Sequence, residues 1–375
     1  MKKQLMIILS LCLGLTMAGC RGASDDPIDD GGTVTGEVLL RATTKIIRAD
    51  GVDATVFSVL VTDSQGVMHD VTSEAEIYYE GNDTPLAEPQ FASSEEGTYV
   101  FYAVHGFSTS TNDITVRVAN GIGELPEDAE PNNTDFRHRI MLLQHTGTGC
   151  YACPMMMTTL DNLSKDEAYS GLYNHVASHS YSTKEEGDKA YSTDARQLSL
   201  ELNPGRTYPT LGFNLALEFA DELNAIKAKI DLLSQNVADV GIRTNVTLNN
   251  GVIYVNTGVK ARVSGQYRVA VWALEDSIYS AQTNASSQWQ NTHNNCVRKT
   301  VGDSKNECIY GATIGALKAG DSAEYVAAID VESDWVTDNM EVIVIVTADN
   351  GQGVFDLVNC VVCPVGESLN YEYNQ

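Results

Sequence analysis

Basic residues are scarce in this chain. Its 375 residues include 24 Lys and Arg against 50 Asp and Glu, a formal charge of −26. Such a surface repels phosphate backbones, so nucleic acid is not an expected partner. Trp (3) and Phe (8) are few, and the aromatic share rests on 17 Tyr. Beyond the first twenty residues no stretch is long and apolar enough to cross a bilayer as a helix. Residues 37–120 contain no cysteine, so that segment must be held by its core alone. There is no short-period repeat and no low-complexity tract. A glycine-rich phosphate loop, a nucleophile-elbow serine and an EF-hand loop are all missing, so their chemistries have no sequence support. No cofactor and no metal is called for by these motifs. The hydrophobic share is nonetheless 43%, enough to fill real cores and to exclude a disordered acidic tail. The length suggests two or three domains.

What is present begins with an address. Lys2 and Lys3 precede an apolar run from Leu5 to Leu15, then Met17-Ala18-Gly19-Cys20. The run is too short for a permanent span and has the length of a signal-peptide core. The small residues before Cys20 resemble the bacterial lipobox, which implies removal of residues 1–19 and lipidation of Cys20. An ordinary signal peptide ending near a Cys is the bland alternative. Residues 20–36, with Asp25, Asp26, Asp29 and Asp30, read as a flexible acidic tether. Acids just after the lipid Cys resemble export signals of surface lipoproteins. The expected location is therefore the outer membrane, lipid-anchored and exposed at the cell surface. The expected partners are the membrane, through the lipid, and envelope or host proteins.

Composition then divides the chain. Residues 37–120 alternate as short strands (Phe57, Val59, Val61; Ile114, Val116, Val118) with turns between them, a β-sandwich pattern resembling bacterial immunoglobulin-like modules. Prolines, glycines and acids in 121–136 read as a linker. Residues 137–236 alternate strand and helix, which implies an α/β layer structure. Residues 237–375 return to β, with hairpin signals at Asn249-Asn250-Gly251 and Asp349-Asn350-Gly351, and read as a C-terminal antiparallel β-sandwich. The expected fold class is multidomain α+β. Trp272, Trp289 and Trp335 are read as core residues.

Cys12 leaves with the signal and Cys20 takes lipid. Six cysteines remain. The sharpest feature among them is Cys150-x-x-Cys153, between the buried run Ile140–Leu143 and a helix opening at Pro154. At a helix start, unpaired N–H groups and the dipole stabilise a thiolate, and two intervening residues let both sulfurs meet. Cys150 would attack and Cys153 would resolve the mixed disulfide. Three readings stay open for the pair: a redox site, a structural disulfide, or half of a zinc ribbon completed by Cys360 and Cys363. Cys296, Cys308, Cys360 and Cys363 are read as structural disulfides stapling the long loop 276–310. On an extended strand, Cys360 and Cys363 lie too far apart to join each other, which directs them toward Cys296 and Cys308.

Together with Tyr208-Pro209-Thr210, the pair resembles the thioredoxin superfamily. That resemblance implies a central thioredoxin-like α/β domain, with Cys150 and Cys153 as catalytic cysteines and Pro209 as a cis-proline facing them. Two positions depart from the family. Gln144 stands where it has a buried Asp, and Gly149 where it has Trp, so the proton relay and the hydrophobic lip are missing or replaced. His145 and His179 can accept protons but have no supporting motif. The strings "RIMLLQHTGTGCYACP" and "YPTLGFN", with the β-rich tail, resemble the lipoproteins related to the twenty-eight-kilodalton outer membrane protein. Two functions compete. One is an envelope thiol–disulfide oxidoreductase. The other is a non-catalytic surface binding or adhesion lipoprotein with a disulfide-stapled scaffold.

Overall fold

The computed structural model describes residues 36–351 and 354–374. The expected signal peptide (1–19), the lipid site Cys20 and the tether up to residue 35 lie outside the described residues.

Residues 37–119 form two sheets around one core. The first contains Glu37–Ala42, Thr55–Thr62 and Met68–Asp70, with Gln90–Phe91 on its flank. The second runs Ile46–Arg48, Ile114–Ala119, Gly97–His105, Glu76–Tyr79. In Thr55–Thr62, Phe57, Val59 and Val61 point inward while the residues between them do not. That period-2 pattern puts every second side chain on one face. The inward rows meet as Leu40, Ile47, Phe57, Val59, Phe101 and Val116.

The rest of the chain centres on a nine-stranded sheet. Its first half is built from β1 (Ile140–Thr146), α1 (Cys153–Ser164), β2 (Tyr173–His179), α2 (Thr193–Leu202), β3 (Thr210–Phe213), β4 (Ala216–Ala220) and α3 (Leu223–Leu233). The strand order here is β4-β3-β1-β2. β1 and β2 are parallel, whereas β3 runs antiparallel to both β1 and β4. β1 is buried along its whole length. Ile140 and Leu142 pack under α1 and α3 with Met156, Leu163, Ile226 and Ile230. Met141 and Leu143 face α2 with Leu198 and Leu202.

The second half follows as β5 (Val240–Asn249), β6 (Val252–Ala261), β7 (Gly265–Glu275), β8 (Cys296–Thr300), α4 (Lys305–Tyr310), β9 (Ala312–Leu317), β10 (Ser322–Asp330), β11 (Met340–Asp349) and β12 (Phe355–Pro364). β5, β6 and β10 form a separate antiparallel sheet with the short strand Ser368–Leu369, called the second sheet from here on. The other strands named here join the large sheet instead. It continues from β2 into β8, then β7, β11 and β12, with β9 on β7. The boundary expected at 236 therefore does not divide this sheet. β2 and β8 meet at Ala177 and Cys296. β7 and β11 are buried on both faces: Val269, Val271, Val342 and Val344 pack on the second sheet, while Ala270, Trp272, Ile343 and Ile345 join the layer under α2. One apolar layer thus spans both halves and holds the sheet together.

Residues 121–136, expected as a linker, are docked along the second sheet. The side chain of Asn256 donates to the carbonyl of Gly123, and Arg243 donates to that of Pro126. Lys260, almost wholly buried, pairs with Asp128 at 2.9 Å and donates to the carbonyl of Pro131.

Candidate functional site

The loop after β1 turns tightly. A Cβ on Gly147 would lie 2.7 Å from Cβ of Tyr181, so only glycine fits there. The N–H of Cys150 donates to the carbonyl of Gly147, and that of Cys153 to the carbonyl of Cys150. Cys153 opens α1 and Pro154 sits in the first turn, where a missing N–H costs nothing. Cys150 and Cys153 are joined as a disulfide with Cα atoms 5.4 Å apart. The Tyr208–Pro209 bond is cis. Thr210 pairs with His145 across β3 and β1, which places Pro209 at the end of the sheet where β1 runs into the cysteine loop.

The disulfide is covered. Cys150 is 2% exposed and Cys153 0%. The cover is a strap from the excursion between β7 and β8, within the loop expected to need disulfide staples. The side-chain amide of Gln282 donates to the carbonyls of Thr148 and Cys150, at 3.2 and 3.0 Å. The backbone N–H of Thr283 also donates to Thr148. Asn284 reaches the carbonyl of Tyr151, and the buried Gln290 donates to the carbonyl of Pro154 at 2.9 Å. Tyr151 and Met155 remain exposed beside the strap.

Beneath the loop lies the carboxylate of Asp188. It accepts from the N–H of Thr148 (2.9 Å), the hydroxyl of Ser182, the N–H of Ala190 and Nδ1 of His179 (3.0 Å). Burial alone would raise its pKa. The charge and hydrogen bond of His179 and the N–H of Thr148 outweigh burial and bring it to about 2. His145 lies on the other face of β1, where Nδ1 meets the hydroxyl of Ser199 at 2.8 Å. Burial pushes its pKa down to about 4, so it is neutral. Gln144, on the α1 face, bonds to Nε2 of His175 at 3.1 Å.

The four other cysteines of the described residues form no disulfides; they are free thiols. This corrects the staple expectation, for a geometric reason. Cys360 and Cys363 both lie on β12, three residues apart, and so face opposite sides of the sheet. Cys360 packs in the layer under α2, Cys363 in the core against the second sheet. Cys296 is buried at the head of β8 and Cys308 sits half-buried in α4. Each buried thiol fills a hole as a small hydrophobe. Burial pushes the thiols of Cys360 and Cys363 up to about 12, and that of Cys296 well up. With Cys150 and Cys153 bonded to each other and these two on opposite faces, a four-cysteine zinc ribbon does not assemble. Among the described residues no group of three His, Cys, Asp or Glu side chains is placed to hold a metal.

A cavity of about 540 Å³ opens between α1 and the returning end of the strap. Gln144, His175 and His179 form its floor, with His293 and Trp289 opposite α1. Trp272 and Trp335 are core residues as expected, but Trp289 is 43% exposed on the cavity rim. No sequence pattern signals this grouping, because His293 and Trp289 lie more than a hundred residues from β1 and β2.

Fold and site thus define a β-rich, multi-sheet protein with a covered disulfide at a strand–helix turn. The family described as outer membrane protein Omp28 matches residues 206–364, which shows the resemblance read from the sequence over that part of the chain. Among solved structures, HBP35 of Porphyromonas gingivalis is similar at 14% identity and a TM-score of 0.51, covering 64% of this chain and 78% of that one. A crystal structure of a protein from Agrobacterium tumefaciens is similar at 12% identity and a TM-score of 0.41, covering 63% and 97%. No curated protein sequence matches the chain.

Proposed function

We propose that this chain is an outer-membrane protein, lipid-anchored through Cys20 and exposed at the cell surface, whose thioredoxin-like unit is a disulfide-stapled scaffold for binding. The matched family supports the outer membrane. The order β4-β3-β1-β2, with a cysteine pair at the start of α1 and Pro209 before β3, supports the thioredoxin-like reading. One observation carries the scaffold role: Cys150 is 2% exposed beneath the strap. A thiolate that exchanges with a protein disulfide must meet it in line, and a reactive cysteine sits at an accessible position.

The test is native-state reduction followed by alkylation and mass spectrometry. A scaffold disulfide resists dithiothreitol until denaturant is added, and its potential lies below about −300 mV. Rapid alkylation of Cys150 under native conditions defeats the scaffold reading.

Thiol–disulfide exchange is the second reading, favoured by the helix N-terminus at Cys153 and by Pro209. It requires the strap to lift. A Cys153→Ser variant then traps mixed disulfides with envelope proteins. Protease shaving of whole cells tests exposure separately, and a fully protected chain defeats the surface role.

A further inference from the structure

The cavity between α1 and the strap has the size of ordinary small-ligand sites, about 300–1,000 Å³. No cysteine of the described residues lines it, so whatever binds there does so independently of the disulfide.

Its polar groups have defined roles. Asn295 donates its side-chain amide to Nδ1 of His175 at 3.0 Å, so Nε2 carries the proton and donates to Oε1 of Gln144. Nε2 of Gln144 is then a donor with no partner among the described residues, on a side chain only 4% exposed that faces the cavity. His179 is held through Nδ1 by the carboxylate of Asp188. His293 donates from Nε2 to the carbonyl of Ser280 at 2.9 Å, which leaves Nδ1 as an acceptor.

Among the described lining residues there is no Lys or Arg, and the one carboxylate is Asp161. Burial pushes His175 and His293 down to about 4, so both are neutral. Asp188 lies behind His179 with four donors already on it. Asp161, on the α1 wall, is paired with Lys165. Among the described lining residues no free cation remains to hold a phosphate or carboxylate, and His175 has both nitrogens engaged, so it cannot ligate a metal. Leu160, Met157 and the indole of Trp289 form the apolar part of the wall, beside the hydroxyls of Thr146, Ser164 and Tyr173.

We infer that this groove binds a neutral sugar. A hydroxyl both donates and accepts, which matches the buried Gln144 donor, the His293 acceptor and the hydroxyls of Thr146, Ser164 and Tyr173. A pyranose ring also has an apolar face that an indole can cover, while its edge carries the hydroxyls. The inference deepens the binding half of the proposed function and rests on it. It does not depend on whether the disulfide exchanges.

The test titrates the full mature chain with glucose, galactose, mannose, N-acetylglucosamine and their β-linked disaccharides, reading tryptophan fluorescence and calorimetry. Saturable binding is expected for at least one of them. Trp289→Ala, on the rim, should abolish it without altering the far-ultraviolet circular dichroism. Gln144→Leu should weaken it about tenfold, the size of one buried hydrogen bond. Glucuronate and glucosamine should bind more weakly than their neutral parents. The inference is overturned if no neutral sugar binds the folded chain, if binding survives both substitutions, or if a charged sugar binds best. The scaffold reading is judged separately, from native-state reduction of the same sample.

Discussion

Gln282 donates its side-chain amide to the carbonyl of Cys150 at 3.0 Å, across 132 residues of chain. The same amide holds the carbonyl of Thr148. Together with Thr283, Asn284 and Gln290, this neutral side chain ties to the disulfide turn the loop for which the sequence suggested cysteine staples. Removing it takes one of two donors from each carbonyl, since the N–H groups of Thr283 and Cys153 remain on Thr148 and Cys150, and a lost hydrogen bond costs about 0.5–1.5 kcal/mol. Gln282→Ala should lower the urea midpoint accordingly and speed native-state reduction of the 150–153 pair. Unchanged reduction kinetics would show that the strap does not guard the disulfide.

The buried histidines and Asp188 set the response to acid. His145, His175 and His293 titrate near 4 in the fold against about 6.5 in the unfolded chain. Between these values the unfolded chain binds more protons, so stability falls as pH drops from about 6.5 toward 4. Asp188 acts lower, because its folded pKa of about 2 lies below the ordinary carboxylate value. Its contribution, about 2 kcal/mol, is complete above the unfolded pKa and is lost as pH falls from about 4 to 2. Urea titrations from pH 7.5 to 3 should show a continuous acid decline. Asp188→Asn should shrink the part below pH 4 and leave the part between 6.5 and 4 in place.

Thiol labelling should separate the free cysteines by burial. Cys296, Cys360 and Cys363 are buried with raised pKa values, whereas Cys308 is partly accessible. Iodoacetamide on the native chain should modify Cys308 alone among the four, and all four after unfolding. Mass spectrometry of the oxidised chain should find no disulfide joining any of them; one such bridge contradicts the assignment.

Lys260 anchors residues 121–136 to the second sheet. Its ammonium is paired with Asp128 and lies 5.7 Å from the ring centre of Tyr371. Breaking a buried pair from one side costs about 3–5 kcal/mol. Lys260→Ala should release the segment, so a glutamate-specific protease should cut at Glu124 or Glu127 in the variant and leave these sites intact in the parent.

Local features are legible in the residues themselves. The run Ile140–Leu143 marks β1, and Pro154 after Cys153 marks the start of α1. Phe57, Val59 and Val61 mark an inward row of a sandwich. All of these follow from short-range patterning, period 2 for strands and an N-terminal proline for a helix. The runs in β7 and β11 are legible as buried strands, but their partners are not. A strand buried on both faces shows no alternation, so nothing in it says which neighbour covers which side.

Sequence alone is enough for the strand and helix runs, for a spacing that lets Cys150 and Cys153 meet, and for the acidic charge. Backbone spacing and composition settle those within a few residues. Packing decides that β2 joins β8, that Cys360 and Cys363 lie in separate cores, and that the strap from Gln282 to Gln290 closes over the disulfide turn. It also brings His293 and Trp289 to a cavity on β1 and β2. These outcomes depend on which distant faces bury one another, and that is a property of the packed core rather than of any local pattern.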